Sequence, residues 1–313
     1  MYLDFEILSS ARFFKALTDL VDHAKKRVYI ITYNFSLTRY TWDIVYGLVA
    51  KAKENVDVKV ILNGASSKAL KQNRKLGSYM NKLGFKNVVY TSKFLHTKLY
   101  VIDDYVITGS HNLAREVGVD ISLLIRSKKL ADKLLEVVLN SLKGYVYAQS
   151  IRGTIDGVPY EVVLNTSVIT KFFEIAKEAR DYIKILMYLA SLSKVTKKFY
   201  MLLREKADEN VDIFVLLNGT EDMCLRYNRP VWEYMRNLGL ETMLSKIPVH
   251  AKLLVTETMT LIGSHNLTSS SIAGRVELSV AFRNAEMSEA LSYFFDNVWK
   301  TNLAKTAKRN ALS

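Results

Sequence analysis

The sequence predicts an α/β fold built from two similar units, each a mixed sheet flanked by helices, facing one another across a pseudo-twofold axis. Three observations predict it: the chain repeats itself, each copy alternates strand-like and helix-like stretches, and a glycine-rich interruption separates the copies.

The repeat organises the rest. Val56-Asp57-Val58-Lys59-Val60-Ile61-Leu62-Asn63-Gly64 returns as Val211-Asp212-Ile213-Phe214-Val215-Leu216-Leu217-Asn218-Gly219, an offset of 155 residues (211 less 56). Tyr33 meets Tyr188 at the same offset, and Tyr79-Met80-Asn81-Lys82-Leu83-Gly84 meets Tyr234-Met235-Arg236-Asn237-Leu238-Gly239. Within the copies, residues 28–33 and 58–62 have the length and β-branching of buried strands, whereas 42–53 and 67–83 carry helical spacing. Gly144, Gly153, Gly157 and Pro159 then break both periodicities. The expected organisation is a first repeat over residues 1–145, a linker over 146–159 and a second repeat over 160–313.

A chain of 313 residues that is 49% apolar is long enough for two domains with real cores. Its longest apolar stretch, 183–192, is broken by Lys184 and Ser191 and falls short of the roughly 18 residues that span a bilayer, so no transmembrane segment is expected. The N-terminus has no basic region leading into an apolar run, which predicts a cytoplasmic chain. The single cysteine, Cys224, excludes an internal disulfide and a cysteine-based zinc cluster. With 44 Lys+Arg against 31 Asp+Glu the formal net charge is +13, which favours an anionic partner, nucleic acid or an anionic membrane.

Four of the five histidines fall in the repeat. His96-x-Lys98 is followed 13 residues after the histidine by Gly109-Ser110-His111-Asn112-Leu113, and His250-x-Lys252 is followed, again after 13, by Gly263-Ser264-His265-Asn266-Leu267. On a strand, histidine and lysine two residues apart share a face. Asp103-Asp104 would turn that strand, residues 105–108 would return antiparallel, and Ser110 and Asn112 would join His96 and Lys98 in one corner. An imidazole, a fixed cation, a hydroxyl and an amide suit a phosphate, so Ser110, Asn112, Ser264 and Asn266 are candidate phosphate ligands. Two facing corners allow one imidazole to attack phosphorus while the other protonates the departing oxygen. His111 and His265 read as loop residues outside the site. No Gly-x-Ser-x-Gly elbow supports a serine hydrolase, and no ligand spacing marks a zinc site.

The doubled pattern resembles the phospholipase D superfamily, whose signature is His-x-Lys, four residues, Asp, then a Gly-Ser-x-Asn loop. The first copy reads His96-x-Lys98-(x4)-Asp103; the second carries Glu257 where the aspartate is expected, and in both the gap from acid to glycine is one residue short. The resemblance spans nearly the whole chain. It implies two like domains with the active site between them, a phosphohistidine intermediate, no metal or other cofactor, and phosphodiester substrates of lipid or nucleic acid. It further implies a structural role for Asp103 and Glu257, and an orienting role for Asp120 and Glu277, which open the matched segments Asp120-Ile121-Ser122-Leu123 and Glu277-Leu278-Ser279-Val280. By the same resemblance His96 is the nucleophile and His250 the acid and base.

The choice of phosphodiester rests on charge. The helix after Asn63-Gly64 carries Lys68, Lys71, Arg74 and Lys75, and its counterpart carries Arg226 and Arg229, residues suited to a phosphate backbone. Two motifs consume the chain and leave no lipid-targeting module, so a nuclease-like member is expected. The alternatives are a phospholipase or phosphatidyltransferase at a membrane surface, and a nucleic-acid-binding protein of the same fold with little turnover. One chain carrying both motifs can complete the site as a monomer; a dimer is left open.

Overall fold

The computed structural model describes residues 3–114, 118–144, 150–165, 167–268 and 275–310. In the first repeat β2 (Arg27–Thr32), β3 (Asp57–Asn63) and β4 (Val88–Thr91) run parallel, because helices α2 (Trp42–Lys53) and α3 (Ser67–Lys82) carry the chain back between them. Antiparallel β6 (Leu99–Ile102), β7 (Tyr105–Gly109), β8 (Ile121–Arg126) and β1 (Phe5–Ser9) extend the sheet on the other side of β2. The second repeat copies this plan. β11 (Tyr182–Met187), β12 (Asp212–Leu217) and β13 (Glu241–Leu244) are parallel, with α6 (Lys194–Asp208) and α7 (Asp222–Asn237) between them. β14 (Lys252–Thr256), β15 (Met259–Gly263), β17 (Leu278–Arg283) and β10 (Val158–Leu164) follow antiparallel.

The expected linker needs correction. Residues 151–155 form β9 (Ile151–Ile155), an eighth strand paired antiparallel with β10. The turn between them is Asp156-Gly157, with φ of 48° and 78°, and an Asp-Gly pair closes a tight hairpin because both turn positions need positive φ. Of the glycines that interrupt the periodicity, Gly157 thus lies in a turn inside the sheet, Gly153 within β9, and Gly144 caps the helix over 128–143. Residues 146–149 lie outside the described residues.

Both sheets are apolar on both faces, because each is covered on both sides. Along β2, Val28 and Ile30 face a cluster with α1 (Ser10–His23) and α2, including Phe13, Phe14, Leu17 and Leu48. The alternate residues Tyr29 and Ile31 face a second cluster, which also contains Leu134 and Val138 of α4 (Lys128–Lys143), Leu186 of β11, and Leu291, Phe295 and Trp299 of α8 (Ala285–Asn310). That second cluster belongs to both repeats at once. A third cluster, around Phe172 and Phe199, packs α5 (Ser167–Glu178) and α6 on the outer face of the second sheet. Among the described residues no helix is long and apolar enough to cross a membrane.

The repeated asparagines tie helices to strand ends. Buried Asn73 of α3 donates to Tyr33 O at 3.0 Å and Asn63 O at 2.9 Å and accepts from Phe35 N at 3.0 Å. Asn228 of α7 repeats this with Tyr188 O and Asn218 O, both at 2.8 Å, and with Ala190 N at 2.8 Å. These bonds fix where the carboxyl ends of β2, β3, β11 and β12 meet their helices.

Because the central cluster is shared, Phe295→Ala is expected to cost about 3–5 kcal/mol and to lower the midpoint of a single cooperative unfolding transition. Urea denaturation followed by circular dichroism and tryptophan fluorescence checks this, since two separated transitions would show that the repeats fold independently.

Candidate active site

Each His-x-Lys segment hangs on the backbone of the opposite repeat. His96 N and Thr97 N both donate to Val276 O, at 2.9 and 3.0 Å, and Thr97 Oγ1 donates to the same oxygen at 2.9 Å. In mirror fashion His250 N and Ala251 N donate to Val119 O, at 2.8 and 3.2 Å. The cross-link is widened by β16 (Arg275–Val276), which pairs parallel with β5 (Phe94–Leu95), and by a bridge between Val119 and Val249. His96 therefore precedes the regular strand rather than lying on it; β6 begins at Leu99, while Lys252 opens β14. Lys98 Nζ donates to His96 O at 2.6 Å, and Lys252 Nζ donates to His250 O.

The carboxylates cross between repeats too. His250 Nδ1 and Asp120 Oδ2 form an aligned hydrogen bond of 3.0 Å. His96 Nδ1 lies 3.1 Å from Glu277 Oε1 but off the line of the ring N–H, so the second pair is close without being an aligned hydrogen bond. Asp120 is further held by Ser110 Oγ and by Ile121 N at 3.2 Å. Ser264 Oγ instead accepts from Leu278 N at 3.1 Å, and neither oxygen of the buried Glu277 has a hydrogen-bond partner among the described residues. The repeats are alike in plan and unlike in how their acids are satisfied.

Electrostatics follow from this geometry. Burial, then the positive Lys98 and Lys252 and the neighbouring His250, hold His96 well below the usual imidazole range. Burial, reinforced by Lys252 and opposed by Asp120, brings His250 down to about 4. Burial lowers both lysines, Lys98 well below its ordinary value and Lys252 to about 8. Burial works to raise Asp120, but charge from His111 and His250, the hydrogen bond to His250 and Lys252 outweigh it and hold the carboxyl below its usual range. Glu277 has no such bonds, and burial pushes it up to about 7 against the pull of Lys98, Arg275 and Lys252. The corner thus concentrates positive charge that an entering phosphate would neutralise.

Several expected residues sit elsewhere or do something else. Ser110 is fully buried and bonded to Asp120 and to Ile121 O at 2.9 Å, so it anchors a carboxylate and is not a free phosphate ligand. Ser264 is likewise buried against the Leu278 amide. Asn112 Oδ1 accepts from Thr32 Oγ1 at 3.4 Å and Asn266 Oδ1 from Leu189 N at 3.2 Å, which leaves their amide nitrogens as the donors available to a ligand. Asp103 accepts from the amides of Lys25, Lys26 and Arg27 at 2.7–3.0 Å, and Glu257 from those of Arg180 and Asp181 at 3.0 and 3.5 Å. Both acids occupy the far end of a hairpin, about 16 Å along the chain from the lysine of the motif, and orient no histidine.

Other residues at the site carried a sequence signal that the motif did not include. Tyr33 and Tyr188, matched at 155 residues, each stand edge-on to the histidine of their own repeat, with centroids 5.4 and 4.9 Å away. Their rings lie under Lys98 Nζ at 5.8 Å and Lys252 Nζ at 5.0 Å. His111 and His265 are buried behind the carboxylates, their Nδ1 atoms 2.9 and 2.8 Å from Ser122 Oγ and Ser279 Oγ. Among the described residues no group of three or more His, Cys, Asp or Glu is arranged to hold a metal ion.

A family profile described as "Cardiolipin synthase, PLD-like domain" matches residues 17–141 and again 172–299, one match per repeat. The chain belongs to the phospholipase D superfamily. Among solved structures, phosphatidylserine synthase from Haemophilus influenzae Rd KW20 superposes with a TM-score of 0.75 at 12% identity, over 95% of this chain and 86% of that one. Polyphosphate kinase from Porphyromonas gingivalis does so with a TM-score of 0.62 at 13% identity, over 94% of this chain and 50% of that one. Nuc from Salmonella typhimurium, a phospholipase D family member, covers 45% of this chain and 95% of its own, at 16% identity and a TM-score of 0.39. At these identities the likeness is one of fold. No curated protein matches the chain by sequence. Membership in the phospholipase D superfamily carries phosphodiester chemistry, and its two-domain α/β architecture is that of this chain.

The two carboxylates titrate in opposite senses. Glu277 has a folded pKa of about 7 against an ordinary 4.5, so the native state loses stability as pH rises from about 4.5 through 7. Glu277→Gln is therefore expected to be more stable than the parent at pH 8, by up to about 3 kcal/mol, with the gain vanishing near pH 4.5. Asp120, held below its ordinary 3.8, contributes stability above that pH and loses it on acidification, so Asp120→Asn is expected to destabilise at pH 7. Urea titrations of the two variants at pH 5 and pH 8 measure both signs.

Proposed function

We propose that this chain is a phosphodiesterase that cleaves nucleic acid through a covalent phosphohistidine. The observation that carries the chemistry is reciprocal: each motif's imidazole has its Nδ1 against a carboxylate of the other repeat, with a lysine of its own motif beside it. Two imidazoles fixed in this way supply an attacking lone pair and a proton on opposite sides of one phosphate, and Lys98 and Lys252 neutralise the charge that builds on its oxygens.

The unequal carboxylates support an assignment opposite to the expected one. Ionised Asp120 accepts the Nδ1 proton of His250 and leaves the Nε2 lone pair free, the tautomer of a nucleophile. Glu277, pushed up to about 7, keeps a proton 3.1 Å from His96 Nδ1, where it can move onto that nitrogen as Nε2 gives its own proton to a leaving group, the role of a general acid. His250 Nε2 bonds to phosphorus as the bond to the leaving oxygen breaks; His96 gives that oxygen its Nε2 proton while the Glu277 proton moves to His96 Nδ1, so the ring stays neutral, and the transfer reverses in the second half. Water then attacks phosphorus, His96 takes the water proton, and the bond to His250 breaks.

The nucleic-acid reading is supported by two basic faces. Lys68, Lys71, Arg74 and Lys75 are exposed on α3, three of them along a groove with Ser67 and Ser78. Arg226 and Arg229 line the equivalent groove on α7. Both helices start beside the site: Asn63, just before α3, donates to Leu95 O at 2.8 Å, one residue from His96, and Tyr188 reaches Glu221 at the start of α7 at 3.3 Å. A strand crossing the site would meet positive charge on either side. Phospholipid is the second reading, favoured by exposed Leu192, Val195, Met223 and Tyr227 among Lys194, Lys197 and Arg226 near the starts of α6 and α7, a mixed rim suited to an anionic bilayer surface.

Labelled single- and double-stranded oligonucleotides, incubated in excess chelator, are expected to be cut, and His96→Asn and His250→Asn are each expected to lose at least about 10²-fold. Intact oligonucleotides together with headgroup release from phosphatidylglycerol vesicles would transfer the activity to lipid. A phosphorylated protein is expected to accumulate in His96→Asn and not in His250→Asn; the reverse result would return the nucleophile to His96. In the parent, activity is expected to decline as pH rises through about 7 while Glu277 loses its proton, and a pH–rate profile of Glu277→Gln is expected to lack that limb.

A further inference from the structure

We infer that Arg275 anchors a second anionic group of the substrate beside the reacting phosphate, and so fixes the one direction in which a substrate crosses an otherwise twofold-symmetric site. Arg275 comes from the second repeat but stands at the first repeat's histidine. Its backbone is paired with Phe94, two residues before His96, and its guanidinium lies over the Phe94 ring at 4.7 Å. Phe94 meets Tyr33 at 5.7 Å, and Tyr33 meets His96 at 5.4 Å, so guanidinium, two aromatic rings and the imidazole form one continuous layer.

The guanidinium is 4.0 Å from Glu277 Oε1, too long for a hydrogen bond to commit it to that carboxylate. Its side chain is 31% exposed, whereas Lys98 and Lys252 are 1% and 2% exposed. Arg275 is thus the solvent-facing cation of the His96 side, one step outward from the buried lysines. The Phe94 ring lies against the guanidinium, and a planar fork suits the oxygens of a phosphate better than a mobile ammonium does.

Among the described residues, the pseudo-twofold relation gives this cation no counterpart at the matched position. Matching Glu277 to Asp120 sets Arg275 opposite Gly118, and matching His250 to His96 sets Pro248 opposite Phe94. Gly118 packs directly on Pro248: a Cβ built there would lie 2.4 Å from Pro248 O and 3.2 Å from Pro248 Cβ. Where one half-site has a cation on an aromatic ring, the other is closed to any side chain at all. A nucleic-acid strand has polarity and a phosphate at every step, and two symmetric corners alone would accept it in either direction. The 5′ and 3′ neighbours of a scissile phosphate are reached through different sugar atoms, so one fixed cation beside His96 suits one neighbour better than the other; the strand direction that puts the better-placed phosphate at Arg275 is preferred, and the oxygen next to His96 becomes the leaving one.

The role of Arg275 in strand direction rests on the phosphodiesterase reading, but anion binding tests the anchor independently of turnover. Calorimetry on the full chain with orthophosphate and pyrophosphate is expected to show pyrophosphate binding more tightly, with Arg275→Met reducing that preference by about tenfold and Arg275→Lys retaining part of it. Equal binding of the two anions by the parent, or an undiminished preference in Arg275→Met, would overturn the inference. In His250→Asn, of the thymidine dinucleotides TpT, pTpT and TpTp, one terminal phosphate and not the other is expected to add affinity, and the gain is expected to disappear when Arg275→Met is added. Equal gains from both ends count against the inference. Failure of all three dinucleotides to bind, with the pyrophosphate preference intact and Arg275-dependent, removes nucleic acid as substrate and leaves the anion anchor standing.

Discussion

The rest of the site depends on two carbonyl oxygens. Val276 O takes hydrogen bonds from the amides of His96 and Thr97, and Val119 O takes them from His250 and Ala251. Because these bonds run between repeats, each motif is positioned by the strand that also delivers the carboxylate for its imidazole: Glu277 follows Val276, and Asp120 follows Val119. Backbone pairing and side-chain orientation are therefore one constraint. The shared apolar cluster of α4, α8 and both sheets supplies the rigidity that such alignment needs, since imidazoles on loops held at one end would not keep their geometry.

Within that frame the repeats have diverged in their chemistry. Asp120 has three aligned donors and stays ionised; Glu277, one methylene longer, sits among cations without an aligned bond and holds its proton to about pH 7. Two histidines in nearly identical backbone settings thereby face carboxyl groups of different charge. A fold that could run in either direction by symmetry is biased by what surrounds each ring.

Local features were legible in the sequence, and features made by long-range packing were not. Helical spacing over 42–53 corresponds to α2, and the Asp103-Asp104 turn joins β6 to β7, because both are decided by neighbours along the chain. The repeat revealed two corners, but no offset could say that Asp120 serves His250 rather than His96, a partner 130 residues away. Ser110 has the right chemistry for phosphate, but its hydroxyl is taken by Asp120 and the Ile121 carbonyl, partners that spacing alone does not place. Residues 151–159 read as a linker because glycine and proline end both periodicities, although Asp156-Gly157 carried its own hairpin signal. Arg275 carries no repeat signal because it lies where the second copy has gained three residues and the register between copies changes.

The shared apolar cluster has a consequence for how such a protein changes over time. A single repeat would expose one whole face of its sheet and carry a histidine lacking its carboxylate, so it could persist only by pairing with an identical copy. In that pairing every substitution appears twice, once on each side of the axis. Joining the copies in one chain lifts that rule: glycine at 118 and arginine at 275, or aspartate at 120 and glutamate at 277, are combinations that two identical chains related by an axis could never hold.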